Sequence, residues 1–167
     1  MKIKIITICI FLLFTFVINQ SSQSQIKWKK YKGTWFDIKY PSDFKPNRVT
    51  DNSVYFTSKT GDVEFYVFSP MWSGNPEEIK LDKNLETVVE TKNDTYEEDG
   101  IKGTYTFQKI IAKDNSYSRD VILYYNENSG DNCSKAYCMK WSSDNEHLDY
   151  RDAFLNKFIK SHIRYLD

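Results

Sequence analysis

Hydrophobic and polar residues alternate through most of the chain beyond its first 27 residues, the period expected of half-buried strands. In Thr34 to Tyr40, Phe36, Ile38 and Tyr40 fall on one face and Asp37 and Lys39 on the other. Pro41 stops that run, because proline cannot donate to a ladder. Val54-Tyr55-Phe56-Thr57 and Val63 to Phe68 flank Lys59-Thr60-Gly61-Asp62, a hairpin signal. Met71 to Pro76 is a loop rich in turn residues, and Pro76 to Asn93 admits a short helix after Pro76 and a strand around Glu86 to Glu90. Gly103 to Gln108 alternates again, and Lys113-Asp114-Asn115-Ser116 is a turn cluster. The next strand, Tyr117 to Tyr125, sets Val121, Leu123 and Tyr125 against Asp120, Ile122 and Tyr124; after a loop from Asn126 to Asn132, Ala136 to Trp141 forms another.

The period changes near the C-terminus. Ser143 and Glu146 have capping-box spacing, and Leu148, Phe154, Leu155, Phe158, Ile159 and Ile163 then fall on one helical face, with Asp149, Lys157 and Lys160 opposite. The spacing predicts an amphipathic helix packed on the sheet with Phe158 on its buried side. Successive strands joined by short turns predict an antiparallel sheet, and together these make an α+β domain.

The first residues follow a different rule. Lys2 and Lys4 precede an apolar run from Ile5 to Ile18, and the chain turns polar at Asn19-Gln20-Ser21-Ser22. A basic start, an apolar stretch of about 14 residues and small residues at Ser22 and Ser24 form the pattern of a secretory signal peptide. The run is shorter than the roughly 20 residues a spanning helix needs. Cleavage is expected between Ser24 and Gln25, which leaves 25–167 as one exported domain, periplasmic or secreted, with no membrane insertion after the signal is removed. Cys9 lies inside the apolar run behind Ile8, whereas a lipidated cysteine would end the run, so a soluble exported protein is expected rather than a lipoprotein.

Charge and composition narrow the partners. The full chain has 23 basic and 23 acidic residues; loss of Lys2 and Lys4 with the signal leaves 21 against 23, a formal charge of −2. Neither a nucleic-acid footprint nor a basic membrane patch follows from that balance. Aromatic residues make up 16% of the chain, which favours strands and a filled core over disorder.

Tyr40-Pro41 followed by Ser42-Asp43-Phe44 resembles the I-x-Y-P-x-x-F/W opening of the PsbP-like family. Val54-Tyr55-Phe56, the Lys-Asp-x-Ser-Tyr-x-Arg stretch at Lys113 to Arg119, the Tyr-rich strand and a C-terminal helix ending near Ser161 agree with it, so the resemblance spans most of 28–163. It implies an α/β/α sandwich, a central antiparallel sheet flanked by helices, and a non-enzymatic accessory or binding module. Its motifs are strand-forming residues rather than chemistry, and no partner-binding residue is carried over from it.

No catalytic, cofactor or metal residue emerges from spacing. His147 and His162, the only histidines, would lie over 20 Å apart on one helix, too far to share a metal. His162 falls in the last helical turn and His147 in the exposed first turn, positions that need no function. Asp144, Glu146 and Asp149 fall in the first turn as well, where negative charge is favoured whatever the function. Asn126, Asn128, Asp131 and Asn132 lack the spacing and closing Glu of a calcium loop. There is no Gly-x-Ser-x-Gly elbow and no glycine-rich phosphate loop.

Two features stay as candidates. Met71-Trp72 sets an aromatic among turn residues and can anchor a ligand or partner, or tuck onto the sheet edge. Cys133 and Cys138 are the thiols left after signal removal, and pairing is expected in an oxidising compartment. Along one extended strand they would point to opposite faces about 16 Å apart, so a bond requires a bend at Ser134–Lys135; the alternative is two reduced thiols, with Cys138 packed as a small apolar residue. The expected function is an exported, non-enzymatic binding or accessory module for a protein or small-molecule ligand. A small secreted hydrolase and a self-associating envelope protein are the alternatives. An enzyme is expected to gather a His or paired carboxylates in a cleft, and a binding module an apolar or aromatic patch.

Overall fold

The computed structural model describes residues 26–34, 36–48, 50–69, 74–98, 100–143 and 164–165. Among these residues ten strands form: β1 (Trp28–Lys32), β2 (Phe36–Pro41), β3 (Lys45–Arg48), β4 (Ser53–Thr57), β5 (Val63–Phe68), β6 (Glu86–Glu98), β7 (Ile101–Ala112), β8 (Tyr117–Asn126), β9 (Lys135–Ser142) and β10 (Arg164–Tyr165). The one helical element among the described residues is a 3-10 turn, Glu77–Ile79. All pairings are antiparallel, in a three-stranded sheet β1-β2-β10 and a seven-stranded sheet β3-β4-β5-β9-β8-β7-β6.

The α+β expectation is therefore corrected: the described chain is two antiparallel sheets without a flanking α-helix. The helix expected from Leu148 to Ile163, Phe158 included, lies outside the described residues. Just beyond it, Arg164–Tyr165 continue as a strand that pairs with Asp37 and Phe36 of β2. Sheet burial explains why the α+β expectation gave way. Among the described residues, one face of the large sheet packs against the small sheet, and the other against the segment between β5 and β6, which is irregular apart from its 3-10 turn.

The first face carries the main core. Val54 and Phe56 of β4, Val63, Phe65 and Val67 of β5, Ile122 and Tyr124 of β8, and Tyr137, Met139 and Trp141 of β9 alternate inward. They meet Phe36, Ile38 and Tyr40 of β2, the three residues whose alternation marked that strand. Phe44, just past Pro41, is also buried there. Aromatic rings fill the layer in offset and edge contacts, such as Tyr40–Phe56 at 4.7 Å and Tyr124–Tyr137 at 5.9 Å between centroids.

Strand order dictates the second face. Two meanders, β3-β4-β5 and β6-β7-β8-β9, are joined so that β5 lies beside β9, and β6 ends up at the far edge. The chain between β5 and β6 must cross β9, β8 and β7, about 19 Å at normal strand spacing. It does so over the face where Tyr66, Phe68, Ile110, Val121, Ala136 and Cys138 point, and Ile79 of the 3-10 turn is buried among them with Cys133. This crossing segment is what builds a site.

Candidate functional site

Between the crossing segment and the second face lies a partly open cleft of about 280 Å³. Its sheet side is set by register. Glu64 of β5, Lys140 of β9 and Arg119 of β8 are direct cross-strand neighbours in one row, and Tyr55, Tyr66 and Cys138 of β4, β5 and β9 form the next. Tyr117, two residues before Arg119, shares its face. The crossing segment contributes Glu78, Ile79, Lys80, Asp82 and Leu85, and Glu86 opens β6 at the far side.

Arg119 ties the two sides together. Its Nη2 donates to Glu86 Oε2 at 2.6 Å and to the Lys80 carbonyl at 3.1 Å, and its Nη1 donates to the Ile79 carbonyl at 3.2 Å. The last carbonyls of a short turn have no partner of their own, so the guanidinium fork both satisfies them and fixes the segment over the sheet. Glu86 is matched in turn: Tyr117 Oη donates to its Oε1 at 2.8 Å, and the Asp82 amide to its Oε2 at 3.0 Å. Burial alone would raise the Glu86 pKa, but the hydrogen bonds from Arg119, Tyr117 and the Asp82 amide outweigh it and hold the carboxyl below its ordinary range.

The tyrosines form the walls. Tyr55 and Tyr66 rings lie 4.7 Å apart at 52°, and Tyr66 Oη donates to Glu78 Oε2 at 3.1 Å. Lys140 places its ammonium 3.9 Å from the centre of the Tyr117 ring. Burial, then nearby negative charge, pushes the Tyr55 hydroxyl up to about 12. Burial and the bond to Glu86 push Tyr117 to about 12 as well. Burial also drives Tyr66 well above the usual phenol value.

Of the residues singled out in the sequence, the cleft brings together none except Cys138. Met71, Trp72, Ser24, Gln25, His147, His162, Asp144, Glu146 and Asp149 lie outside the described residues. The chain just after Met71–Trp72 is anchored beside Cys133: the Gly74 amide donates to the Cys133 carbonyl, and the Cys133 amide to Asn75 Oδ1, each at 3.1 Å. No group of three or more His, Cys, Asp or Glu side chains among the described residues is arranged to hold a metal ion.

The bridge expected between Cys133 and Cys138 is corrected to two buried free thiols. The chain does bend at Ser134–Lys135, but the bend turns Cys133 Sγ onto the Lys135 carbonyl, to which it donates at 2.9 Å. Cys138 instead faces Arg119 from within the strand, 4.0 Å from Nη1. Burial pushes both thiols up to about 11.

Sequence reasoning missed Arg119 as a site residue, although a signal was present. In Tyr117 to Tyr125 it has the parity of Val121, Leu123 and Tyr125, so a cation stands on an apolar face, where it needs a partner.

No family model and no curated protein matches this chain in sequence. Among solved structures, its fold is similar to the solution structure of cyanobacterial PsbP (CyanoP) from Synechocystis sp. PCC 6803. The TM-score is 0.52 at 13% identity, over 87% of this chain and 96% of that one. The PsbP-like resemblance noted in Tyr40 to Phe44 and Lys113 to Arg119 thus holds at the level of fold. No helix among the described residues is long and apolar enough to cross a membrane.

Proposed function

We propose that this protein is an exported, non-enzymatic binding or accessory module, and that the cleft under the crossing segment is its binding site. The observation that carries this reading is the state of the groups lining the cleft. Catalysis by nucleophile or general base needs groups whose pKa is brought toward neutrality. Here the shifts run the other way: two phenols sit at about 12 and the Cys138 thiol at about 11. Glu86 is fully engaged by an arginine, a tyrosine and a backbone amide. Such a site offers fixed hydrogen-bond donors, acceptors and ring faces rather than reactive groups. At about 280 Å³ the cleft falls at the lower limit of small-molecule pockets, so it suits a small ligand or one projecting group of a larger partner.

Export rests on the Lys2–Ile18 leader pattern, and the accessory role accords with the fold shared with PsbP. The test uses the mature chain from Gln25 and NMR with pooled small metabolites and short peptides. Binding is expected to shift the Tyr55 and Tyr66 resonances without turnover. Hydrolysis of any pooled compound that Arg119→Met abolishes would replace this reading with an enzyme.

A further inference from the structure

β6 is a sheet edge that no strand among the described residues closes. It is 13 residues long and stands last in the seven-stranded sheet. Natural edges are kept short, covered, or broken by proline and bulges, because open N–H and C=O groups invite another strand. The opposite edge obeys that rule: β3 has four residues and includes Pro46. β6 has a bulge between Val88 and Glu90, but from Glu90 to Glu98 its register with β7 is regular and holds no proline. Thr91, Lys92, Asn93, Asp94 and Thr95 are all exposed.

The ladder shows which groups are open. In an antiparallel sheet one residue turns its N–H and C=O to one neighbouring strand and the next residue to the other. The Glu127 amide donates to the Lys102 carbonyl, so even-numbered residues of β7 bond β8 and the odd-numbered ones, from Gly103 to Lys109, bond β6. Their partners Tyr96, Asp94, Lys92 and Glu90 face back toward β7. Thr91, Asn93 and Thr95 therefore direct their N–H and C=O away from the sheet. The side chains add a charge pattern. Lys92 and Asp94 share a face; Lys92 reaches Glu90, whereas Asp94 accepts only the Thr95 amide and forms no ion pair among the described residues.

We propose that β6 pairs with β6 of a second copy of this chain, antiparallel about a two-fold axis at Asn93, to make one continuous sheet. In that register open groups meet open groups: Thr91 faces Thr95 of the second copy, Asn93 faces its own counterpart, and Thr95 faces Thr91. Lys92 falls opposite Asp94 of the second copy and Asp94 opposite its Lys92, so the register that satisfies the backbone also sets two pairs of opposite charge face to face. A slip by one residue would set open groups against groups committed to β7. An axis at Thr91 would run the contact into the bulge, and one at Thr95 would leave Asp94 against Tyr96. Both copies use the same edge, so the contact closes as a dimer rather than growing into a fibre. A contact along one strand edge belongs with interfaces below about 1,200 Å², and the dimer is expected to dissociate on the order of 10–100 μM.

The test is sedimentation of the mature chain from about 1 μM to about 1 mM, with amide exchange followed over the same range. Monomer is expected to give way to dimer with no larger species, while exchange at Thr91, Asn93 and Thr95 slows. Asp94→Lys and Lys92→Asp are each expected to weaken self-association at least about ten-fold, because like charges then meet across the axis, with melting temperatures unchanged. An equal mixture of these two variants is expected to recover the dimer as a mixed pair, since lysines of one then face aspartates of the other. Asn93→Pro removes an outward N–H and leaves the ladder to β7 whole, so it should abolish the dimer. A wild-type chain that stays monomeric, assemblies larger than a dimer, or a mixture that associates no better than its parts overturns the pairing. So does a dimer that forms while amide exchange at Thr91, Asn93 and Thr95 stays fast.

Discussion

Arg119 Nη2 donates to Glu86 Oε2 at 2.6 Å, joining β8 to β6 across the intervening β7, with side chains only 6% and 5% exposed. Removing one member leaves a buried charge without its counterpart. Arg119→Met and Glu86→Gln should therefore each cost roughly 3–5 kcal/mol in denaturant unfolding, and the pair replaced together less than the sum. The Glu86 pKa is lower folded than unfolded, so its contribution is present above the ordinary carboxylate value of 4.5 and fades as pH falls through its folded value. The wild-type protein should lose stability in acid below that point, and Glu86→Gln should lose less over the same range. An acid limb as steep in the variant as in the wild type would remove Glu86 from the account.

Alkaline pH tests the phenols. Tyr55 and Tyr117 have pKa values near 12 in the folded chain against 10.0 for an exposed tyrosine. Groups raised in this way contribute stability that is full below 10 and lost as pH rises toward 12. Phenolate absorbance should show these tyrosines ionising late, together with loss of the fold. In Tyr117→Phe the alkaline decline should be shallower, while stability at neutral pH drops by about 1.5–3 kcal/mol because a hydrogen bond to the charged Glu86 is gone. An unchanged alkaline decline in that variant would show that Tyr117 is not held as described.

β2 was legible because its alternation reports the face turned to the core. Phe36, Ile38 and Tyr40 fall where the pattern placed them, and Val54–Thr57 and Val63–Phe68 pair as the hairpin their turn signalled. Polar strands were not. In β6 the residues from Thr91 to Thr95 are exposed without interruption, and a bulge between Val88 and Glu90 shifts the parity, so only Glu86 to Glu90 showed a signal. β1 and β3, Trp-Lys-Lys-Tyr-Lys and Lys-Pro-Asn-Arg, carry the charges and proline that shield sheet edges, and these obscure a strand in sequence. The cleft was illegible for another reason. Glu86 meets Arg119 over 33 positions, and Tyr66 meets Glu78 only because strand order carries the chain from β5 to the far edge.

The cysteines provide a direct count. With both thiols free, buried and raised to about 11, only about 0.1% would be thiolate at pH 8. Native mature protein should resist alkylation, and the denatured, unreduced chain should titrate two thiols. No thiols on denaturation would mean that the exported protein carries the bridge after all.

Export predicts a defined end. Protein recovered from the envelope or medium should begin near Gln25 on N-terminal sequencing. Recovery of Met1 in a membrane fraction would replace the cleaved leader with a retained anchor.

Gly103 tests the packing of the long β6–β7 hairpin. It pairs with Tyr96 on one side and Asn126 on the other. A Cβ there would run into the Tyr125 carbonyl oxygen and lie 2.9 Å from Asn126 Cα and 2.8 Å from the Tyr96 ring. The ring can move aside, but the two backbone contacts belong to the β7–β8 ladder and can give only by opening it. Gly103→Ala should thus cost roughly 1–3 kcal/mol, the range of an overpacked site, and Tyr96→Ala should not restore the loss. Gly61 is the control: at φ 80° with nothing near its missing Cβ, its substitution by alanine should cost about 1–2 kcal/mol through backbone conformation alone. A Gly103→Ala chain within about 0.5 kcal/mol of wild type, the range of an ordinary surface change, would mean that β7 and β8 are not as close at Gly103 as the register requires. Rescue by Tyr96→Ala would instead assign the strain to the ring rather than to the ladder.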